Sequence, residues 1–149
     1  PGAPLFQMLG AFFAMFAFSP DKIALMVNYL SVFSSAFTVL FMFWSLTILM
    51  KKLIVGEKEL STNNAIMILG SAAVASLSFT FTDSFWYNAV EAEVYAMATF
   101  LIALLFWLGL RWEQEINTPR GNKWLLIISL VIGLSFGVHF MALLTFPAI

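Results

Sequence analysis

The sequence predicts an all-α, polytopic transmembrane protein with about four spanning helices and one short interfacial helix. Of its 149 residues, 62% are hydrophobic and only 10% are charged, and the mean hydropathy is +0.95. A soluble domain carries about 25% charged residues, so this chain has too few charges to cover itself in water. Long runs without charge are the second observation, because a helix needs about 20 apolar residues to cross a bilayer.

These runs divide residues 1–149, taken as part of a single transmembrane domain, into five predicted helices. The first covers residues 4–18: Pro4 suits a first helical turn, and Ser19-Pro20 ends the helix after only about 22 Å. We interpret it as an interfacial or re-entrant helix, with a tilted short span as the alternative. Four spans are predicted at about residues 22–51, 63–82, 88–111 and 123–141.

Basic residues indicate the orientation of these helices. Six of the seven Lys and Arg residues lie in two loops, at residues 51–58 and 111–123, and only Lys22 lies on the other side. The acidic residues divide evenly between the two sides. A bias of Lys and Arg that Asp and Glu do not share is the positive-inside pattern. We therefore expect both basic loops to face the cytoplasm, and Pro1 and residues 83–93 to lie outside.

The predicted outer hairpin concentrates polar and aromatic side chains at the membrane edge. The charge-free run at residues 94–110 is short, so we expect its helix to reach back through Glu91 and Glu93. On one continuous helix Tyr87, Glu91 and Tyr95 share a face, with Glu93 on another. The ordinary interpretation is an interfacial aromatic belt with acids in a first helical turn. The functional interpretation is a binding site, formed by Asp83, Trp86, Tyr87, Glu91, Glu93 and Tyr95.

The predicted fourth span carries the only histidine of the chain, His139. It lies about 24 Å along the helix from Lys123, near the outer boundary, where it can approach the hairpin. It either binds a backbone carbonyl or serves a site, and the sequence leaves both open. Ser129, Gly133 and Gly137 form a ridge of small residues that is typical of close helix packing.

Several function classes are excluded by composition. The chain has no cysteine and a net charge of −1, which removes thiolate chemistry and argues against a nucleic-acid partner. One histidine without a neighbouring acid does not have the spacing of a metal site. Glycine-rich phosphate loops, nucleophile elbows and HExxH motifs are missing from the sequence.

Four segments resemble, in order, a family of bacterial membrane proteins that is similar to protein O-mannosyltransferases of the GT-C glycosyltransferase superfamily. They are PGAPLF at residues 1–6, NYLSVFS at residues 28–34, FW with EAEVY at residues 85–86 and 91–95, and GLSFGVH at residues 133–139. The resemblance covers nearly the whole chain. It implies that residues 4–18 form a juxtamembrane helix in the first outer loop.

The resemblance implies an inverting glycosyltransferase that uses a lipid-linked sugar. It would transfer a mannose-like sugar from a polyprenyl-phosphate donor to a protein hydroxyl, on the outer face of the bacterial cytoplasmic membrane. Such enzymes place their main acid shortly after the first span. We expect both the first span and this acid to lie upstream of Pro1, and residues 1–149 to be inactive by themselves.

Within residues 1–149 the resemblance leaves roles in substrate binding, with no metal. The residues assigned are Asp83, Trp86, Tyr87, Glu91, Glu93, Tyr95 and His139, with Glu91 and His139 expected in one outward cavity. The expected partners are membrane lipid, the polyprenyl-phosphate sugar, and an acceptor protein or glycan. A transporter or channel module and a structural membrane subunit are the alternatives. A transporter is typically marked by paired charges near the midplane and by inverted repeats, and the sequence shows neither.

Overall fold

The computed structural model describes residues 2–141 and 144–145, and every regular element within them is helical. Three helical segments there are long and apolar enough to cross a membrane: Pro20–Ile54, Thr62–Thr80 and Val94–Glu115. This confirms the all-α, polytopic fold class. The elements in chain order are α1 (Pro4–Ala14), a 3-10 turn (Pro20–Lys22), α2 (Ile23–Ile54), α3 (Thr62–Thr80), α4 (Asp83–Val90), α5 (Val94–Glu115) and α6 (Gly121–Ser135).

Helix α2 is the centre of the bundle and contacts α1, α3, α4 and α5. Its inner face carries small hydroxyl residues, which allow neighbouring helices to approach closely. Two of these hydroxyls donate to carbonyls one turn earlier, Ser34 to Leu30 and Thr38 to Ser34, whereas the Ser35 and Ser45 hydroxyls have no hydrogen-bond partner among the described residues. Aromatic rings then fill the seam with α5, where Phe41 lies 5.2 Å from Trp107 between ring centroids. The buried hydroxyl residues are Ser31, Ser34, Ser35, Thr38 and Ser45.

A single apolar core joins α1, α2, α5 and α6. Leu105 at its centre is fully buried. Burying such side chains stabilises α1 and α6, which are too short to be stable helices alone. The core members are Ala3, Phe6, Leu30, Met97, Ala98, Leu101, Leu105, Leu108, Ile128, Val131 and Val138.

The predicted third span differs from the structure, because a chain break separates α4 from α5. Glu91 and Glu93 both have extended backbone, with φ/ψ of −111°/141° and −121°/160°. The prediction that one helix runs from residue 88 through both acids is therefore wrong. It assumed that the helix stops near residue 111, whereas α5 continues to Glu115 and reaches spanning length without the acids.

The first and last predicted helices are both shorter than expected. Helix α1 has 11 residues, or about 16 Å, and is too short to cross a bilayer. Helix α6 ends at Ser135 after 15 residues, instead of continuing to 141. A turn at residues 136–138 follows it. Pro1 and positions 142–143 and 146–149 lie outside the described residues, so the outward location of Pro1 stays a prediction.

The ridge of small residues on α6 has one close contact rather than three. A Cβ on Gly137 would lie 3.0 Å from the Leu5 Cβ, so this glycine permits α1 to approach. A Cβ on Gly133 would meet nothing within 4 Å. Ser129 is exposed and donates to the Leu125 carbonyl. The difference arises because the helix ends before Gly137, and the turn bends toward α1.

The two ends of the bundle differ in charge. Lys52, near the end of α2, forms an ion pair with Glu113, near the end of α5, so the loops at residues 51–58 and 111–123 lie at one end, the basic end. At the other end Asn28 of α2 hydrogen-bonds to Val90 of α4, beside the acids that follow. We call this the acidic end. The common location of the two basic loops agrees with the sequence, and the side of the membrane that they face stays a prediction.

Candidate functional site

The acidic end contains an open groove of about 530 Å³. Its walls come from three segments that are distant in sequence: the start of α1, the chain leading into α5, and the turn after α6. The residues that line it are Gly2, Ala3, Phe6, Gln7, Ala92, Glu93, Val94, Tyr95, Val138 and His139. The groove therefore exists only when all three segments are in place.

A backbone hydrogen bond joins two of these segments. The Leu5 N–H donates to the Gly137 carbonyl at 2.8 Å, and the absence of a side chain at Gly137 lets the two backbones meet. Val138, which is 1% exposed, and Phe6 and Ala3, each 9% exposed, are buried beneath this contact. They give the groove an apolar floor.

The third segment is held by α2. The Asn28 side-chain amide donates to the Val90 carbonyl at 2.8 Å, and the Ser31 hydroxyl contacts the Glu93 carbonyl at 3.5 Å. Both carbonyls belong to the break between α4 and α5, where no helix can satisfy them. These bonds fix the extended backbone that presents the Glu93 side chain at the groove.

Helix α5 begins at this wall. Glu93 is its N-cap residue but makes no side-chain cap bond, so no side chain of the described residues accepts from the N–H groups of the first turn. Val94 and Tyr95 of that turn line the groove. Open N–H groups at the start of a helix favour a negatively charged group.

His139 is half-buried on the opposite wall. Its Nδ1 accepts a hydrogen bond from the Met141 N–H at 3.1 Å. An accepting Nδ1 carries no proton, so the ring proton is on Nε2, which has no hydrogen-bond partner among residues 2–141 and 144–145. The ring centroid lies 5.6 Å from that of Tyr95, with the two planes tilted by 52°. The contact holds the imidazole beside α5.

Three of the seven predicted site residues, Glu93, Tyr95 and His139, line this groove together. Glu91 was expected to share a cavity with His139, but it is not among the lining residues, since the chain break removes it from the helix face of Tyr95. The other predicted residues lie on α4, outside the groove: Asp83 in its first turn, with Trp86 52% exposed and Tyr87 65% exposed.

The main catalytic acid was expected upstream of Pro1. Pro1 itself lies outside the described residues, and the position of that acid stays a prediction. The groove residues are therefore candidates for binding substrate, and none of them is assigned the role of principal base.

Two contributions were missed by the sequence reasoning. Gln7 is the only polar side chain in α1 and lines the groove. A single polar residue in an otherwise apolar helix could have marked it as a candidate site residue. Asn28 belongs to the resembling segment at residues 28–34 but was not predicted to hold the site. A side-chain amide near the start of a span needs a hydrogen-bond partner, and this could have indicated its role. Its Oδ1 is buried and has no hydrogen-bond partner in the described part of the chain.

The described residues contain no group of three or more His, Cys, Asp or Glu side chains that could hold a metal ion. What the groove offers instead is a carboxylate, an imidazole donor, a carboxamide and a phenol above an apolar floor. Carboxylates and carboxamides bind sugar hydroxyls, and N–H donors bind phosphate oxygens.

Comparison with known families gives one match that covers the chain. The family model described as "Protein O-mannosyl-transferase TMEM260 N-terminal domain" matches residues 1–149. Neither a curated protein nor a solved structure gives a significant match.

Proposed function

Because the chain belongs to the protein O-mannosyl-transferase TMEM260 N-terminal domain family, we propose that its groove binds a lipid-linked sugar donor. The donor in this proposal is a polyprenyl-phosphate sugar with a mannose-like ring, and the acceptor is a protein hydroxyl. The enzyme would be of the GT-C type, in the cytoplasmic membrane of a bacterium. One observation carries the proposal: three distant segments bring Glu93, Tyr95 and His139 to one groove with an apolar floor.

The chemistry divides among the groups of the groove and the acid expected upstream of Pro1. In an inverting transfer a carboxylate takes the proton of the acceptor hydroxyl, whose oxygen attacks the anomeric carbon while the bond from that carbon to the phosphate oxygen breaks. The departing phosphate keeps the electron pair. His139 Nε2–H is suited to stabilise that charge.

Glu93 is suited to a different part of the donor. A carboxylate beside the phosphate would repel it, whereas a carboxylate beside the sugar accepts hydrogen bonds from ring hydroxyls. We therefore assign the sugar to Glu93 and Gln7, and the phosphate to His139. The apolar residues Phe6 and Val138 lie beneath the first part of the lipid chain.

The test is sugar transfer by the full-length protein carrying His139→Ala. We expect kcat/KM for the lipid-linked donor to fall about 10- to 100-fold, since a hydrogen bond to a charged group is lost. Asp83→Asn is the control, because it also changes a polar group at the acidic end but lies outside the groove, and it should stay within about twofold. Unchanged transfer by His139→Ala would remove the proposal.

Orientation is a separate part of the proposal, in which the acidic end faces outward. Six of seven Lys and Arg residues lie at the basic end, and such a bias marks the cytoplasmic side. Residues 1–149 contain no cysteine, so single cysteines placed there report without background once any cysteine elsewhere in the full-length protein is replaced by serine. Cysteine at Glu91 should react with an impermeant maleimide in intact cells, and cysteine at Glu57 or Gln114 should not. The reverse pattern would invert the orientation.

A further inference from the structure

The basic end contains a second recess, far from the groove. Three adjoining depressions of about 300, 320 and 370 Å³ share side chains with one another. Ile48 lines all three, while Lys51 and Gln114 line two and Arg111 lines two. Together these adjoining depressions extend from α3 across α2 and α5 to α6, and we call them the basic furrow.

The lining of the basic furrow changes from charged to apolar with depth. Lys51 and Arg111 lie at its mouth, near the ends of α2 and α5. Trp44 is seven residues before Lys51, or about 10 Å deeper, and Trp107 is four residues before Arg111, or about 6 Å deeper. Both tryptophans line the depression between α2, α5 and α6, whose outer part is formed by Arg111 and Trp124. A charged mouth above an aromatic floor matches the order of headgroup and acyl chain in a lipid.

Most charges at the mouth are already neutralised. Arg111 contacts Glu115 at 2.9 Å and lies over the Trp124 ring at 5.3 Å, while Lys52 pairs with Glu113. Lys51 is exposed and has no ion pair within residues 2–141 and 144–145. The furrow thus holds one unneutralised positive charge.

Gln114 supplies donors beside this charge. Its Oε1 accepts a hydrogen bond from Arg111 at 3.1 Å, which turns the carboxamide so that its two N–H donors remain available. An ammonium and an amide donor together suit the oxygens of a phosphate diester. Neither group contributes to the groove at the acidic end.

We propose that the basic furrow binds one anionic phospholipid. The phosphate lies at Lys51 and Gln114, and an acyl chain lies along Trp44 and Trp107. Free phosphate offers the same anion but has no chain to fill the aromatic floor. The proposal does not depend on the function assigned to the groove.

The experiment is native mass spectrometry of the delipidated full-length protein, titrated with phosphatidylglycerol or phosphatidylcholine. The first phosphatidylglycerol should bind about fivefold more tightly than the first phosphatidylcholine, which corresponds to one lysine beside an anionic headgroup. Lys51→Gln should abolish this preference, and Lys51→Arg should retain it. Lys58→Gln, which removes the same charge at the same end but outside the furrow, should leave it unchanged.

Three results would overturn the proposal. Equal binding of the two lipids would show that the furrow does not select an anion. An equal loss of preference in Lys58→Gln and Lys51→Gln would show diffuse attraction to a positive surface. Inorganic phosphate that displaces the first phosphatidylglycerol would assign the site to a free anion instead of a lipid.

Discussion

The acidic and basic ends of this molecule are held by different kinds of interaction. At the acidic end, bonds to backbone carbonyls join residues far apart in sequence: Leu5 to Gly137, and Asn28 to Val90. At the basic end the contacts join side chains to side chains: Lys52 pairs with Glu113 on another helix, and Arg111 and Trp124 both donate to Glu115. The geometry of the groove therefore depends on backbone contacts around a chain break and a turn, whereas the basic furrow is lined mostly by side chains of the regular helices α2, α3, α5 and α6.

This difference predicts that small changes at the acidic end disturb more than larger changes at the basic end. The contact between the Leu5 N–H and the Gly137 carbonyl has little freedom to adjust, because neither group has a rotamer to change. An exposed ion pair can reorient or exchange its partner for water.

Gly137→Ala should have the largest effect. Its Cβ would lie 3.0 Å from the Leu5 Cβ and 3.3 Å from the Leu134 carbonyl oxygen, so the start of α1 must move. Overpacking of this kind costs about 1–3 kcal/mol. We expect a lower unfolding temperature in detergent together with reduced sugar transfer. Gly133→Ala is the matched control: its Cβ meets nothing, and stability should stay equal or rise. Equal losses in both variants would contradict the close contact.

Asn28→Ala should come next. It removes the donor to the Val90 carbonyl, and leaving that carbonyl without its partner costs about 1–2 kcal/mol. Because this bond holds the chain break, amide hydrogen exchange at residues 91–95 should become faster while exchange in the middle of α5 stays slow. Asn63→Ala, at an exposed position in α3, should change neither. Unchanged exchange at residues 91–95 would show that α2 does not hold the break.

Lys52→Ala should have the smallest effect. Its ion pair with Glu113 is 61% and 53% exposed, and exposed pairs contribute about 0–1 kcal/mol. Glu115→Ala should cost more, because its carboxylate is 19% exposed and accepts from both Arg111 and Trp124. Thermal unfolding at low and high salt measures both. A larger loss of stability in Lys52→Ala than in Gly137→Ala or Asn28→Ala would reverse the proposed order of the two ends.

The sequence predicted the helical class and the shared end of the two basic loops, because both depend on composition and on the spacing of charges. It misjudged the region around Glu91 because a count of apolar residues does not show where a helix stops. Helix α5 reaches spanning length by continuing past Arg111 to Glu115, and not by starting before Glu91. The extended backbone at Glu91 and Glu93 accompanies bonds from Asn28 and Ser31, and such long-range pairings leave no periodic signal.

Only part of the groove was predicted, because long-range contacts determine which residues line it. Tyr95 and His139 were recognised by their residue type and by their depth along predicted helices. Glu91 was preferred over Glu93 because a continuous helix would have placed it on the face of Tyr95. Once the chain breaks between α4 and α5, that face no longer exists. Gln7 joined the groove only through the contact between Leu5 and Gly137.

Sugar transfer by Glu93→Gln compared with Glu91→Gln tests the central claim most directly. The two acids lie two residues apart, both are exposed, and each substitution removes one negative charge. Only Glu93 lines the groove. We expect Glu93→Gln to lower kcat/KM about 10-fold or more, as for a lost hydrogen bond to a charged group, and Glu91→Gln to stay within about twofold. An equal loss in both variants, or a loss confined to Glu91→Gln, would contradict the account.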